Sequence, residues 1–205
     1  MIYGEIRRDK THFLMIWFTS DFHFGHKNIA GPSLSSWDHG YRNFESIHEM
    51  NKTITQGVNA HVKSEDTLYF LGDFCFGGHE NTPAYRHSLA VQTIHVCRGN
   101  HDHKIDKYAH LFASVNDVLW CKVRKDRPIF MAHYAHRVWE HSHKGTIHLY
   151  GHSHDTIPDY GKSMDCGIDV AYRLFGEYRP FSIEEVIGIM DKREVKLVDH
   201  HDKTY

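Results

Sequence analysis

Five short apolar runs that each end in a polar residue most constrain this 205-residue chain. The runs are rich in β-branched and aromatic residues, which predicts buried β-strands. They span residues 13–21, 67–73, 93–102, 128–133 and 146–154. Their ends carry Asp21 and His23, then Asp73, then Asn100 and His101, then His133, and finally His152 and His154. Because sites form outside the carboxyl ends of strands in open α/β sheets, the sequence predicts that these side chains meet.

Helical patterns lie between the predicted strands. Two capping boxes, Ser46 with Glu49 and Ser182 with Glu185, each precede apolar residues at helical spacing. Those apolar residues are Ile47, Met50, Ile54 and Val58 after the first box, and Ile183, Val186, Ile187 and Met190 after the second. Residues 83–91 favour another helix. Since the late strands adjoin without helices between them, we predict an α/β sandwich of mixed sheets with helices packed outside.

Composition limits the classes of protein that fit. With 40% apolar residues, the chain can bury one core, and the absence of repeats and linkers predicts a single domain over residues 1–205. It is short for an eight-stranded barrel with parallel strands. A net charge of -2 with neutral histidines gives no general basic field, so charge does not indicate a nucleic-acid end as the partner. The 21 histidines are spread along the chain, so any metal site must be argued from context.

Compartment is inferred from cysteines and apolar runs. The four cysteines contain no Cys-x-x-Cys pair, which favours reduced thiols in the cytoplasm. No run approaches the roughly 18 apolar residues of a membrane span, so no membrane partner is expected. The first twelve residues are too charged for a secretory signal. We expect residues 1–14 to be an N-terminal extension, with Met15 as an alternative start.

The spacing of the polar residues suits two metal ions. Residues i and i+2 of an extended chain face the same way, so Asp21 with His23, and His152 with His154, can each point a pair into one cavity. Two catalytic metals lie about 3.5–4 Å apart and share a carboxylate, for which Asp73 is placed. Imidazole, carboxylate and amide ligands without thiolate favour manganese, iron, zinc, nickel or cobalt. We expect two divalent ions, manganese first.

Five ordered motifs resemble those of the calcineurin-like metallophosphoesterase superfamily. They are DFH (21–23), GDFCFGG (72–78), GNHD (99–102), AHY (132–134) and GHSH (151–154). The extended first motif, SDFHFGHKNI, resembles small stand-alone bacterial and phage members. The resemblance covers residues 16 to about 170. It implies a four-layer α/β/β/α sandwich and hydrolysis of phosphate esters by a hydroxide that bridges two metals.

The resemblance also implies a role for each motif residue. One metal would take Asp21, His23, Asp73 and His154, and the other Asp73, Asn100, His133 and His152. His101 would face the scissile phosphate and donate a proton to the leaving group. Asp102 could orient the His101 imidazole. Possible substrate contacts are His26, Asn28, Arg98 and Arg137.

Several alternatives stay open on the sequence alone. His136, His141 and His143 compete with His133, and His26 could instead cap the following helix. The substrate could be a phosphodiester, a phosphomonoester or a nucleotide pyrophosphate bond. With little mass beyond the core, the chain favours small or flexible phosphodiesters and nucleotide-type substrates.

Two further functional classes compete with a phosphoesterase. A metallo-β-lactamase fold is disfavoured, because Thr156 and Ile157 stand where its His-x-His-x-Asp-His motif needs Asp and His. A catalytically silent metal-binding module would have no need for His101. His148, within the predicted strand, is interpreted as structural.

Overall fold

The computed structural model describes residues 14–35, 42–76, 78–124 and 127–198. The strands in these ranges are β1 (Ile16–Thr19), β2 (Thr67–Phe70), β3 (Thr93–Cys97), β4 (Ser114–Asn116), β5 (Val118–Arg124), β6 (Arg127–Ala132), β7 (Ile147–Tyr150), β8 (Ser163–Asp165) and β9 (Phe181–Ser182). The α-helices are α1 (Lys27–Ala30), α2 (Ile47–His61), α3 (Thr82–Ser88), α4 (Ile168–Phe175) and α5 (Ile183–Asp191). Short 3-10 helices span His79–Asn81, Ile105–Leu111 and Ser142–Lys144. The expected N-terminal extension lies, apart from Leu14, outside the described residues.

The strands form two mixed sheets, and the protein is therefore an α/β protein with two sheets and helices. The first sheet has the order β4-β3-β2-β1-β9, in which only the β1–β9 pair is antiparallel. The second has the order β5-β6-β7-β8, in which only the β5–β6 pair is antiparallel. All five strands that carry predicted site residues thus have parallel neighbours, and their carboxyl ends lie at common sheet edges.

All five predicted strands are confirmed, but four of them are shorter than their apolar runs, whereas β6 has the same length as its run and begins one residue earlier. β1 ends at Thr19, two residues before Asp21, and β7 ends at Tyr150, two residues before His152. The polar residues at the ends of these two runs therefore lie in the loops that follow the strands. β4, β5, β8 and β9 were not predicted from the sequence.

The helices at both capping motifs are confirmed. Ser182 and Glu185 form the complete reciprocal box at the start of α5. At α2 only half of the box forms, because Ser46 accepts from the Glu49 amide while the Glu49 carboxylate accepts from the amide of Glu45 instead of Ser46. The predicted helix in residues 83–91 is the shorter α3. Within the described ranges, the helices are too short or too polar to span a bilayer.

Each face of the first sheet packs against a different apolar cluster. Trp17 packs with the buried face of α2, including Met50, on one side. Phe18, its neighbour in β1, faces the other side, where it joins Met131 of the second sheet and Val186 of α5. This alternation places one apolar cluster outside the first sheet and one between the sheets.

The outer face of the second sheet is packed by the segment between β6 and β7. Phe130 of β6 forms a buried cluster there with Trp139. Among the described residues, this cluster contains no α-helical side chain, whereas the first sheet is covered by α2. The expected outer helices are therefore found on the first sheet. On the outer face of the second sheet, the cluster of Phe130 and Trp139 is completed by a loop residue instead.

His148 is a structural histidine on this outer face, as its position within a strand predicted. Its side chain is fully buried in β7, where Nε2 accepts a hydrogen bond from the His136 amide (3.0 Å). Nδ1 lies 3.3 Å from the carbonyl oxygen of Phe130, so it carries the proton. Burial and the nearby His136 lower the pKa of His148 to about 4. The imidazole is therefore neutral at physiological pH.

His148 should make stability depend on pH in a defined window. Between pH 6.5 and 4 the unfolded chain binds a proton that folded His148 does not, so the free energy of unfolding falls as the pH falls. The full shift corresponds to about 3 kcal/mol. Urea unfolding across this range should show a weaker pH dependence for His148→Gln than for wild type. The exposed-site control His110→Gln should retain the wild-type slope, and equal slopes for all three proteins would contradict the assignment.

Candidate metal centre

The loops after the parallel strands stay paired beyond the strand ends. The amide of Asp21 donates to Gly72 O (2.9 Å), and the amide of His23 donates to Asp73 O (3.0 Å). In the second sheet, the amide of Gly151 donates to His133 O (2.9 Å). These hydrogen bonds fix the loops that carry the predicted site residues at the sheet edges.

Left-handed backbone is concentrated at the predicted ligands. Among the described residues other than glycine, those with positive φ are Asp21, His23, Asp73, His141, His152, His154 and Asp155. Five of these seven are predicted ligands. The expected extended geometry of the Asp21–His23 and His152–His154 pairs is therefore wrong, because all four residues have φ between 45° and 65°. Such conformations cost of order 1–3 kcal/mol each, and they cluster where side chains must be aimed.

Asp73 is the point that the two halves of the site share. Its Oδ2 atom lies 3.6 Å from His23 Nε2, 3.5 Å from His133 Nε2 and 3.9 Å from His101 Nε2. Its Oδ1 atom accepts a hydrogen bond from the His101 amide (2.9 Å). Asn100 Oδ1 lies 3.0 Å from the same His133 Nε2. Side chains from three separate loops thus converge on one carboxylate.

Asp21 gathers the remaining predicted ligands. Its Oδ1 atom lies 3.7 Å from His23 Nε2 and 3.9 Å from His154 Nε2. Its carboxylate also accepts from the His152 amide. In the described ranges, three sets of side chains could hold a metal ion: Asp21, His23 and His154; His23, Asp73 and His101; and Asp73, His133 and His152.

Two glycines allow the loops to come this close. A Cβ atom on Gly99 would overlap the carboxylate and amide of Asp73. A Cβ atom on Gly151 would overlap the Ser20 side chain and lie 2.5 Å from Asp21 Oδ2. The glycines that open the GNHD and GHSH motifs are therefore required by the packing of backbone against carboxylate.

Imidazoles compensate the charge of the buried carboxylates. Burial raises the pKa of Asp21, but His154 and His23 outweigh this effect and hold it below its usual range. Burial lowers the pKa of His133, but Asp73 and Asp21 outweigh it and raise the value to about 9. The site thus holds closely paired acids and imidazoles inside the protein.

The donor atoms fit a divalent metal. His23 Nε2 is fully buried, makes no hydrogen bond and lies within 3.7 Å of carboxylate oxygens of Asp21 and Asp73. A buried imidazole nitrogen without a partner is costly unless it binds something, and mixed imidazole and carboxylate donors suit a borderline divalent cation. The residues present therefore fit the expected ions.

An unpredicted ion pair orients one of the imidazoles. His154 Nδ1 lies 2.7 Å from Asp169 Oδ2, which leaves His154 Nε2 facing Asp21. Arg42, with a fully buried side chain, binds both oxygens of Asp169 (2.8 and 3.0 Å). Its guanidinium also donates to the carbonyl oxygens of Asp21 (2.6 Å) and Phe22 (2.8 Å). One arginine thus ties the first ligand loop to the carboxylate behind His154.

Asp102 has a different role from the one expected. Its carboxylate accepts hydrogen bonds from the amides of Asp73 (2.8 Å), Phe74 (3.0 Å) and Gly99 (2.9 Å). Among the described contacts of Asp102, these three amides engage both carboxylate oxygens and none joins it to the His101 imidazole, so the structure does not give it the expected orienting role. Burial raises the pKa of Asp102 to about 6, although the amides counteract it. Asp102 holds the Asp73 loop against the Gly99 loop.

His26 lies at the site, whereas Asn28 does not contact it. The Nδ1 atoms of His26 and His23 are 3.3 Å apart, and the His26 ring centroid is 5.8 Å from that of His101. His26 occupies the N-cap position of α1 without a side-chain capping bond, so it does not act as the helix cap. Asn28 is exposed and accepts a hydrogen bond from Ser35.

The two arginines proposed as substrate contacts have other partners. Arg98 forms ion pairs with Asp106 (2.7 Å) and Asp117 (2.8 Å). Arg137 is exposed, with its guanidinium carbon 5.7 Å from the centroid of the Tyr160 ring. These contacts do not bring either guanidinium to the metal centre.

Two known proteins are similar to this chain in sequence over most of their length. No protein-family model matches the chain. The chain is 26% identical over 182 residues to the uncharacterized protein MJ1445 of Methanocaldococcus jannaschii, covering 88% of this chain and 93% of that protein. It is 24% identical over 194 residues to the Gene 66 protein of Mycobacterium phage L5, covering 77% of this chain and 88% of that protein.

One solved structure supports the fold. The protein of unknown function AQ665 from Aquifex aeolicus matches with a TM-score of 0.62 and 20% identity, over 86% of this chain and 100% of that chain. This similarity shows a shared fold. A novel archaeal phosphodiesterase matches with a TM-score of 0.47 and 17% identity, over 80% of this chain and 88% of that chain, which does not establish a common fold.

Removing the carboxylate behind His154 should weaken both folding and metal binding. Asp169→Ala leaves the buried Arg42 guanidinium without its counterion, so the metal-free protein should lose about 3–5 kcal/mol of unfolding free energy in urea. Metal affinity, measured by chelator competition, should fall about 10- to 100-fold as His154 loses its orientation.

Asp106→Ala is the matched control for this ion pair. It breaks an exposed pair with Arg98 and should cost at most about 1 kcal/mol, with metal affinity retained. Wild-type affinity in Asp169→Ala would show that Asp169 does not position His154.

Proposed function

We propose that this protein is a dinuclear-metal-dependent phosphoesterase that hydrolyses phosphate esters, with a preference for phosphodiesters. The observation that carries the proposal is the convergence of His23, His101 and His133 on one oxygen of the buried Asp73 carboxylate. A carboxylate that lies between His23 and His133 can serve as a ligand common to two divalent ions, with His101 beside them. We also propose that the protein belongs to the calcineurin-like superfamily and has its four-layer α/β/β/α sandwich.

We propose the two ligand sets that the family resemblance implies. Asp21, His23, Asp73 and His154 would hold one ion, and Asp73, Asn100, His133 and His152 would hold the other. Manganese is the proposed ion, with iron, zinc, nickel and cobalt as alternatives. When bound, the ions supply hydroxide near neutral pH and neutralise the charge that develops on the phosphoryl oxygens.

His101 is the proposed proton donor to the leaving group. Its imidazole is about one-quarter exposed, lies 3.9 Å from Asp73 Oδ2 and belongs to neither proposed ligand set. Its backbone amide is fixed to Asp73 Oδ1, so the side chain stands beside the centre while the main chain stays anchored. Histidine is the side chain that most often transfers a proton to or from a reacting group in enzymes.

The remaining residues orient the ligands and shape the surface around them. Asp169 holds His154, the Leu71 carbonyl lies 2.8 Å from His133 Nδ1, and His26 contacts His23. His152 is exposed, so substrate can reach the centre from solvent on that side. We propose a small phosphoester or a nucleotide-type molecule as the substrate, and the cytoplasm as the compartment.

Metal dependence and ester preference should appear in one assay. Protein stripped of metal and reloaded with Mn²⁺, Ni²⁺, Zn²⁺, Fe²⁺ or Mg²⁺ is tested on bis-p-nitrophenyl phosphate and p-nitrophenyl phosphate. We expect Mn²⁺-stimulated hydrolysis, faster with the diester. Faster cleavage of the monoester would make the protein a phosphomonoesterase. No hydrolysis of either ester with any metal, despite metal-dependent thermal stability, would instead support a metal-binding module.

Two substitutions should separate metal binding from proton transfer. Asp73→Asn should abolish hydrolysis and reduce the metal content, because both ligand sets include this carboxylate. His101→Ala should reduce hydrolysis by about 10²–10⁴-fold while the metal content stays near wild type, because its amide contact to Asp73 is retained.

The exposed His103, two residues after His101, provides the matched control. His103→Ala should retain activity and metal. Equal metal loss in Asp73→Asn and His101→Ala would contradict the proposed division of roles.

A further inference from the structure

Two partly exposed aromatic side chains flank the metal centre. Phe76 is 36% exposed, and its ring centroid lies 4.1 Å from that of His26 and 4.5 Å from that of His101. Tyr134 is 50% exposed, and its ring centroid lies 4.6 Å from that of His152. Both rings therefore offer apolar surface to a molecule that reaches the ligands.

The two rings lie beside different parts of the centre. His101 shares Asp73 with His23, whereas His152 shares Asp73 with His133. Phe76 is thus on the side of the non-ligand imidazole, and Tyr134 is beside residues proposed as ligands. A phosphodiester has substituents on both sides of its phosphorus, and the one that leaves must be near the proton donor.

Phe76 is held in place but is not part of the core. Its amide donates to the carbonyl oxygen of Phe24 (3.0 Å), next to the isolated bridge between Phe24 and Cys75. None of the three buried apolar clusters in the described part of the chain includes Phe76. Core packing therefore does not account for a phenyl ring fixed between two imidazoles at the rim of a polar site.

We propose that Phe76 is a specificity-determining residue that stacks on a nucleobase of the substrate on the His101 side of the centre; this inference rests on the phosphoesterase function proposed above. The Phe76 backbone is anchored and its ring already packs against His26 and His101 before substrate arrives, so little side-chain freedom is lost on binding. A base stacked on an aromatic side chain contributes about 1–3 kcal/mol, which corresponds to about 5- to 150-fold in binding. The substrate class is therefore a nucleotide-type phosphodiester.

A matched pair of substrates measures the contribution of the nucleobase to hydrolysis. Adenosine 2′,3′-cyclic phosphate and glycerol 1,2-cyclic phosphate contain the same five-membered cyclic diester, and only the first has a planar base. Kcat/KM is measured for each with the Mn²⁺-loaded protein. We expect Phe76→Ala to lower the ratio of adenosine to glycerol substrate by about 5- to 150-fold, while Phe76→Trp restores it.

Phe175→Ala is the control, because Phe175 is also 36% exposed but lies on α4, with its ring against Phe181 and Arg179. This variant should retain the wild-type ratio. Metal content and thermal unfolding of each variant are measured alongside.

The other outcomes each overturn the inference in a recognisable way. An equal loss on both substrates in Phe76→Ala would make Phe76 a shield for His101. A changed ratio in Tyr134→Ala but not in Phe76→Ala would move the base to the opposite side. An unchanged ratio in both variants would show that neither ring stacks on the base. If the wild-type protein cleaves neither substrate nor the p-nitrophenyl esters, the phosphoesterase function itself fails, and the inference fails with it.

Discussion

The buried Asp73 carboxylate is the constraint on which the rest of the structure depends. A carboxylate removed from water is costly unless charged or hydrogen-bonding groups surround it. Here the surrounding groups come from loops that are far apart in sequence, since His23, His101 and His133 follow three different strands. The parallel strand order places these loops at common sheet edges, and the left-handed conformation of Asp73 aims its side chain at them. The backbone strain at the ligand positions persists because the loops are hydrogen-bonded to one another and packed without room for a Cβ atom at Gly99.

Charge balance explains the place of Arg42 beside the site. The side chains of Asp21, Asp73 and Asp169 are all buried or nearly so. Among their described contacts, the guanidinium of Arg42 balances the charge of Asp169 by binding both of its oxygens. Arg42 also binds the carbonyl oxygens of Asp21 and Phe22, so the same side chain stabilises the bend of the first ligand loop. The carboxylates of Asp21 and Asp73 accept hydrogen bonds from the amides of His152 and His101 and otherwise face imidazoles. One of these imidazoles, that of His23, has a buried nitrogen without a hydrogen bond. Divalent cations would satisfy that nitrogen and both carboxylates together.

The sequence predicts those strands and site residues that are marked by a local pattern of apolar and polar residues. Apolar runs locate the five strands of the site, because a strand covered on both faces must be apolar throughout. The geometry of the ligand pairs could not be predicted, because β1 and β7 end two residues early and the chain then turns left-handed. Arg42 and Asp169 were also missed. They are 127 residues apart, and no local spacing links an arginine that precedes a helix to an aspartate in the first turn of α4. Asp102 was expected to orient the His101 imidazole, but its hydrogen-bond partners are backbone amides, which a motif does not specify.

Histidine illustrates how position relative to a strand end determines chemistry. His148, His152 and His154 lie within seven residues, yet their surroundings differ completely. His148 is inside β7, where the strand alternation turns it toward Phe130 and Trp139, and burial keeps it neutral. His152 and His154 follow the strand, where Gly151 allows the backbone to approach Asp21 and where left-handed turns point both imidazoles toward carboxylates. In a chain with 21 histidines, side-chain identity therefore carries little information by itself. The end of the buried strand separates a histidine that fills the core from one that is able to bind a metal.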